Sequence, residues 1–439
     1  MDLNCINSYD NFKIVGKWGI DKNNLNIDGF LNYDNNGINL ITNDSITDDF
    51  LINSERIDFI YGKGFIHINN NKFYVSHISL YKNYFSIDGI AGLSKVYNCK
   101  SKYIYMGNMF INNDINFNSC SIYLSNFSQF INGDLNINQI NNIKDLNSSR
   151  KNEDNINISL NNKCIYVNKH SLLNNIIGYQ LSSYINLKKD NINLSDVNKY
   201  ENILSTYFSL ISSYMQQVLK SFLYFNDNYN VLKLSRTPIK KVKKQDFFFE
   251  LKRNIRNSEF IDIIINSLFE WINNVDELKP IYDISIVSPE IGTIDQQLSG
   301  AFSGLDMIAK HFLDDKLNVL LKTENSKLEK SKKKNKTFDM KVLVILNSFD
   351  DEIVQQILNR SRFNDKYSLC NLLWKARNGS SHSSLEYKSD YVSLEDRYMI
   401  LIISQFIIRI WMLKKIKIPK DIIQEELLFN NNLQSELLF

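Results

Sequence analysis

At 439 residues the chain has room for about two to four domains of ordinary size. Its 44% hydrophobic content, with 27 Phe and 23 Tyr, is ample for buried cores and excludes a disordered chain. A formal net charge of +3 neither demands nor rules out a nucleic-acid partner.

The chain opens Met1-Asp2-Leu3-Asn4-Cys5, without the charged-then-apolar pattern of a secretory signal. The cysteines (Cys5, Cys99, Cys120, Cys164, Cys370) are widely and irregularly spaced, and their odd number argues against a disulfide framework. No C-x-x-C pair points to zinc. Reduced thiols and a cytoplasmic location are the expectation.

Residues 1–184 alternate on the period of a strand. Leu25-Asn26-Ile27 and Phe30 to Tyr33 lead into Asn36-Gly37, a two-residue hairpin signal, and Ile38-Asn39-Leu40 continues beyond it. Lys72 to Leu80, Lys102 to Ile111 and Ser121 to Leu124 follow, and Asn132-Gly133 marks another turn before Leu135-Asn136-Ile137. Strands at this spacing predict an antiparallel sandwich or barrel.

From Ile185 the period becomes helical, and residues 185–290 read as a helical middle region with a connector. Leu204, Phe208, Ile211, Met215, Leu219 and Phe222 fall on one helix face, as do Phe260, Ile264, Leu268 and Trp271. The connector is placed at Pro280 to Gly292. Lysine clusters at Lys240–Lys244 and Lys327–Lys336 read either as phosphate contacts or as solvated loops.

Residues 291–420 predict a four-helix bundle, followed by a tail at 421–439. The first helix carries Ile294 to Phe312 and the second Phe338 to Ile357. The third runs through Leu369, Leu373 and Ala376. The fourth opens at Ser393 and Asp396 with capping-box spacing and is stopped by Pro419. Its apolar run from Met399 to Leu413, interrupted by Gln405 and Arg409, is shorter than the ~20 residues of a membrane span and reads as a buried helix.

The third helix ends in Arg377-Asn378-Gly379-Ser380-Ser381-His382, the densest reactive chemistry in the chain. An RNA strand supplies its own nucleophile, the 2′-hydroxyl. A nuclease then needs a group that exchanges protons near neutral pH, which His382 provides. It also needs positive charge on the phosphate, which the planar fork of Arg377 provides. Asn378 can position phosphate or ribose without competing for the proton.

On a straight helix, residues five apart lie about 140° apart, so Arg377 and His382 would not share a face. Two routes bring them together: the helix ends at Gly379 as a glycine cap, or two copies of the motif meet across a dimer. Each motif also carries one histidine where transesterification uses both a base and an acid, which favours a homodimer. The plainer reading keeps Arg377 as a helix-end cation and His382 as a surface histidine. The other histidines, His67, His77, His170 and His311, have no metal-ligand spacing, and no metal or cofactor is expected. Glu386 and Asp390 either orient His382 or stand exposed.

Arg377, Asn378 and His382 between the third and fourth helices make the C-terminal region resemble the HEPN domain of ApeA-like anti-phage proteins. The N-terminal region is similar to the β-domain of that family through Val15-Gly16-Lys17-Trp18, Ile27-Asp28-Gly29-Phe30-Leu31, Gly37 to Thr42 and the return at Tyr123 to Phe127. The chain departs from the commonest motif form by placing Ser381, not an apolar residue, before His382. The resemblance implies an α+β multidomain fold and a toxic, metal-independent RNA endonuclease that is held quiet until infection. It also implies RNA as substrate, a phage-derived trigger sensed by the β-domain, and pairing into homodimers. The competing implication is a HEPN scaffold that binds RNA, nucleotide or a protein partner without cutting.

Overall fold

A computed structural model describes residues 6, 10–46, 58–68, 71–88, 96–125, 127, 148–151, 156–170, 175–211, 216–225, 229–235, 258–286, 293–323, 337–361, 363–381 and 392–429. By packing, the chain divides into a sheet unit (1–205 and 215–243) and a helical unit (206–214 and 244–439).

In the sheet unit the described strands are β1 (Phe12–Gly19), β2 (Ile27–Asp34), β3 (Gly37–Thr42), β4 (Phe59–Ile68), β5 (Asn71–Asp88), β6 (Val96–Gly107), β7 (Phe117–Leu124), β8 (Ser148–Lys151), β9 (Asn157–His170), β10 (Asn175–Ile192), β11 (Val218–Phe225) and β12 (Tyr229–Ser235). All the pairings are antiparallel, as the alternating sequence predicts. β3 pairs with the first half of β6 (Tyr97 to Ser101), which closes β1, β2, β3, β6, β5 and β4 into a barrel. The second half of β6 (Tyr103 to Gly107) pairs instead with β12, and the sheet continues outward through β11, β7, β10, β9 and β8.

Alternation fills the barrel. Ile14, Trp18, Leu31, Leu40, Ile66 and Ile78 belong to one buried cluster. The Trp18 indole lies so close to Gly62 that a Cβ there would meet the ring at 2.3 Å. β1 and β4 approach through Gly16 and Gly64, cross-strand partners, where a Cβ on Gly16 would meet the Lys63 carbonyl at 2.0 Å. Side chains at these three positions would force the strands apart. The hairpin signal places the β2–β3 turn one residue late: Gly37 already pairs with Asp34 and takes φ 119°, while the Asn36 N–H donates to Asp34 Oδ1 at 2.7 Å.

The structure corrects the helical reading of residues 185–235. Residues 185–192 finish β10, and Leu219 and Phe222 lie on β11. Helix α1 (Leu194–Ile211) is the helical part, and Met215 lies outside the described residues. The sheet unit therefore extends beyond residue 184 to take in β11 and β12. The first part of α1 is tied to those strands. Glu201 Oε2 meets Lys233 Nζ at 2.5 Å, Ser221 Oγ donates to Glu201 Oε1 at 2.7 Å, and Lys233 also donates to Asn198 Oδ1 at 2.7 Å. Burial pushes the Lys233 pKa down, opposed by its pairing with Glu201.

The helical unit holds the end of α1 with α2 (Ser258–Asn273), α3 (Val275–Ser285), α4 (Ile294–Phe312), α5 (Asp314–Thr323), α6 (Phe338–Leu346), α7 (Asp351–Ser361), α8 (Lys366–Ser381), α9 (Leu394–Lys415) and α10 (Lys420–Phe429). Tyr207, near the end of α1, donates its hydroxyl to the Ile264 carbonyl at 2.7 Å, joining α1 to α2. Three expectations change here. Pro280 sits inside α3 rather than in a connector, because Val275, Leu278, Ile281 and Tyr282 bury one face of that helix. The long second bundle helix is two helices, broken where Ser348 turns its hydroxyl onto the Ile345 carbonyl at 2.6 Å and the chain tightens into three-residue turns. The segment assigned to a tail begins as α10, whose Lys420 pairs with Glu352 at 2.6 Å.

Helix α9 opens on the capping spacing that the sequence predicts, and α4 opens on a cap of the same kind. Thr293 and Gln296 form a full capping box, and Ser393 Oγ accepts from the Asp396 N–H at 3.1 Å. Arg397 on α9 donates to both carboxylate oxygens of Asp295 on α4, at 2.9 and 3.2 Å. Twelve residues of α9 between Ile400 and Leu413 are buried. Among the described residues no helix is long and apolar enough to cross a membrane.

Candidate functional site

Helix α8 starts on Asp365, whose Oδ1 accepts from the backbone N–H groups of Tyr367 (2.8 Å) and Ser368 (3.0 Å). The Ser368 hydroxyl adds a bond to Oδ2 at 2.6 Å, and these hydrogen bonds hold the Asp365 carboxyl below its ordinary range. The helix then buries Leu369, Cys370, Leu373 and Ala376. This stripe orients the last turns, where Arg377 and Asn378 emerge half-buried.

Arg377 is set against the start of α6. Its guanidinium carbon lies 4.8 Å from the centroid of the Phe338 ring, and Phe338 in turn packs edge-on against Phe302 of α4 at 5.3 Å. Phe338 is buried, so the ring is a fixed platform. A cation over an aromatic face is attracted by the ring quadrupole, which restrains where the guanidinium sits. Beside Phe338, Asp339 is fully buried and acts electrostatically on Cys370 of α8. Burial first, then Asp339, pushes the Cys370 thiol far above its ordinary value, which removes it as a nucleophile near neutral pH.

A second cation is held nearby in sequence. Lys341 of α6 is buried and ion-pairs with Asp306 of α4, which also pairs with Lys310 at 2.7 Å. Burial alone would raise the Asp306 carboxyl; the hydrogen bonds and charges of Lys310 and Lys341 outweigh it and bring the carboxyl below its ordinary range.

The glycine-cap route for the motif does not hold. Helix α8 runs through Gly379 to Ser381, so the backbone is helical over the whole interval from Arg377 to the residue before His382. One glycine costs a helix only about 1 kcal/mol relative to alanine, too little to end it here. His382, Glu386 and Asp390 lie outside the described residues, as do both lysine clusters. Of the other histidines, His67 on β4 and His311 on α4 are exposed and His170 closes β9. His77 packs against Phe110 at 4.6 Å between centroids, and burial lowers its pKa. Among the described residues no group of three His, Cys, Asp or Glu side chains gathers as metal ligands do.

The platform under Arg377 was not legible in the sequence, where Phe338 reads only as one member of an apolar stripe. With this geometry in place, the comparison with known families is informative. Residues 299–422 match the family described as Apea-like HEPN, a segment that runs from α4 into α10 and encloses the whole arginine–histidine motif. The C-terminal helices therefore match an Apea-like HEPN domain. The matched segment does not include the sheet unit. No curated protein and no solved structure matches the chain.

Proposed function

We propose that the helical unit is an RNA endonuclease that cuts by attack of the 2′-oxygen on the adjacent phosphorus, and that it acts in anti-phage defence. The observation that carries this reading is the Apea-like HEPN match enclosing a motif whose arginine is seated on an aromatic platform at the end of α8. HEPN domains are generally ribonucleases, which favours cutting over simple RNA binding.

In this mechanism a base takes the 2′-hydroxyl proton as the new P–O2′ bond forms and the P–O5′ bond breaks. An acid then protonates the departing 5′-oxygen. The products are a 2′,3′-cyclic phosphate and a 5′-hydroxyl. His382 serves as one proton-exchanging group, Arg377 neutralises the phosphate oxygens, and Asn378 orients phosphate or ribose. A second copy supplies the other histidine, so the working form is a homodimer with paired motifs. The continuous helix through Ser381 favours this shared site over a motif folded back on itself within one chain. The sheet unit takes the role of sensing a phage-derived trigger.

The scaffold reading draws on the same packing, since an arginine stacked on a buried ring also serves to fix α8 against α6. One experiment separates the two. Wild type, Arg377→Ala and His382→Ala are incubated with total RNA, with and without EDTA, and the new ends are sequenced. Cyclic-phosphate and 5′-hydroxyl ends that persist in EDTA are expected from wild type, with a loss of about 10²–10⁴-fold in either variant at a melting temperature within a few degrees of wild type. Cleavage that survives both substitutions, or that requires added magnesium, would overturn the mechanism.

A further inference from the structure

The core of the barrel takes Ile14, Leu31, Leu40, Ile66 and Val75, so the residues beside them in each strand face outward. Strand register brings five of these outward residues into one line. Ile41 of β3 pairs with Phe30 of β2, Phe30 with Val15 of β1, Val15 with Phe65 of β4, and Phe65 with Tyr74 of β5. With neighbouring strands about 4.8 Å apart, the line crosses roughly 19 Å of the outer wall.

This row is apolar where a solvated barrel face would be polar. Val15, Phe65 and Tyr74 are 48%, 43% and 51% exposed, and Phe30 and Ile41 are half-buried. Phe65 and Tyr74 meet edge-on at 5.2 Å between centroids. Exposed apolar residues gathered together and rimmed by polar ones mark a binding surface.

The rim is cationic. On one side the register sets Asn39, Asn32, Lys13, His67 and Lys72 next to one another. On the other it sets Asp28, Lys17 and Lys63. Lys17 pairs with Asp28 at 3.0 Å, which leaves Lys13, Lys63 and Lys72 in excess over the carboxylates of the two rows. Two of these lysines reach over the apolar row itself. Lys13 Nζ lies 3.9 Å from the Phe30 ring centroid, and Lys72 Nζ 4.3 Å from that of Phe65. Both are exposed ammonium groups on flexible stems, so a flat ligand can take the ring face while the charge moves aside to an anion.

The shape of the patch selects the partner. A protein interface needs an apolar core broad in both directions, and this row is one residue wide. A nucleic-acid duplex turns its bases inward and would set the rings against phosphates. A single strand offers both parts at once: flat bases for the rings and a line of negative charge for the flanking lysines.

We propose that this outer face of the barrel binds single-stranded nucleic acid, with bases stacked on Phe30, Phe65 and Tyr74 and phosphates met by Lys13, Lys63 and Lys72. Stacking of this kind accepts every base, so little sequence preference is expected. All of these residues belong to the sheet unit, so the proposal does not rest on the nuclease reading.

The test is fluorescence anisotropy of the full-length chain with labelled oligo(dT), 2′-O-methyl oligo(U) and a DNA duplex of equal length. None of these can be cut by 2′-hydroxyl attack. Saturable binding of at least one single strand, at least tenfold tighter than of the duplex, is expected, and the tighter of the two strands tells DNA from RNA. Phe65→Ala and Tyr74→Ala alter exposed side chains. Each should weaken binding by roughly 5- to 150-fold, the worth of one stacked base, at a melting temperature within a few degrees of wild type. The double variant Lys13→Gln/Lys72→Gln should flatten the slope of log affinity against log salt by about 1.4. Sedimentation with vesicles containing phosphatidylserine is the control for an anionic lipid surface. No saturable single-strand binding, a duplex bound equally well, binding unchanged in either aromatic variant, an unchanged salt slope, or vesicle binding in place of strand binding would overturn the proposal. Because every strand is inert to cleavage, an inactive nuclease leaves the proposal standing, and failure to bind leaves the nuclease reading standing.

Discussion

Two buried lysines, one in each unit, meet carboxylates with opposite electrostatic results. Lys233 in the sheet unit and its partner Glu201 are both almost wholly out of water, with side chains 2% and 9% exposed. There desolvation wins, and the lysine pKa falls despite the contact. Lys341 in the helical unit pairs with Asp306, whose side chain keeps 18% of its exposure and is shared with Lys310. There pairing wins, and the carboxyl pKa falls. The lesson is that contact distance does not decide what an ion pair contributes. Burial of both partners opposes the first pair, and the sharing of Asp306 between two lysines supports the second. Arg377 adds a third arrangement, in which a cation lies over an aromatic face.

The sharpest break in this comparison is Glu201→Ala. It leaves Lys233 buried beside Tyr103, whose ring centroid lies 4.5 Å from Nζ, with Asn198 Oδ1 as a neutral acceptor in place of the carboxylate, and deprives Ser221 of its acceptor. A loss of about 3–5 kcal/mol is expected in urea unfolding, as for other broken buried pairs, with the double variant Glu201→Leu/Lys233→Met recovering most of it. A single variant within about 1 kcal/mol of wild type would show that the pair is dispensable.

Phe338→Leu sharpens the third arrangement. It keeps an apolar residue at the start of α6 but removes the π-face, a contribution of about 0.5–2 kcal/mol at a partly desolvated site. RNA cleavage should fall by roughly two- to thirtyfold, more than the accompanying change in fraction folded explains. Cleavage equal to wild type would mean that the ring does not position Arg377 for the reaction.

The smallest effect is expected at Asp306. Its folded-state pKa lies below the unfolded value of about 3.9. Its stabilising contribution is therefore present above that unfolded value and is lost as pH falls through the folded pKa. Asp306→Asn should be modestly less stable at pH 7 and lose less stability than wild type on acidification below about pH 4. Parallel acid limbs for variant and wild type would remove Asp306 from the account.

Local pattern carried much of this molecule. Parts of β2, β3, β5, β6 and β7 were legible because their residues alternate between core and outer face, as in β3, where Ile38 and Leu40 are buried and Asn39 and Ile41 are less so. β11 was misread because its central residues Lys220 to Leu223 are buried on both faces, which erases the period of two and leaves Leu219 and Phe222 at helical spacing. α6 hid its end for the same reason: all nine of its residues are buried, so the apolar run passes into α7 without a polar face to mark the break. The motif Arg377-Asn378 stood out because reactive residues are scarce around it. The helix through Gly379 did not, since a single glycine signals a helix end only when the following backbone leaves the helix.

By itself the sequence determined the class of each half, the helix cap at Ser393, and the residues on which a nuclease reading depends, because these are short-range matters of period, hydrogen-bonding capacity and side-chain chemistry. Only the tertiary structure decided that β3 and β6 close a barrel, that Phe338 lies under Arg377, and that Glu201 of α1 meets Lys233 of β12. Each of these joins segments far apart in the chain. Their meeting is set by how whole elements pack to exclude water, and no local stretch of residues contains that information.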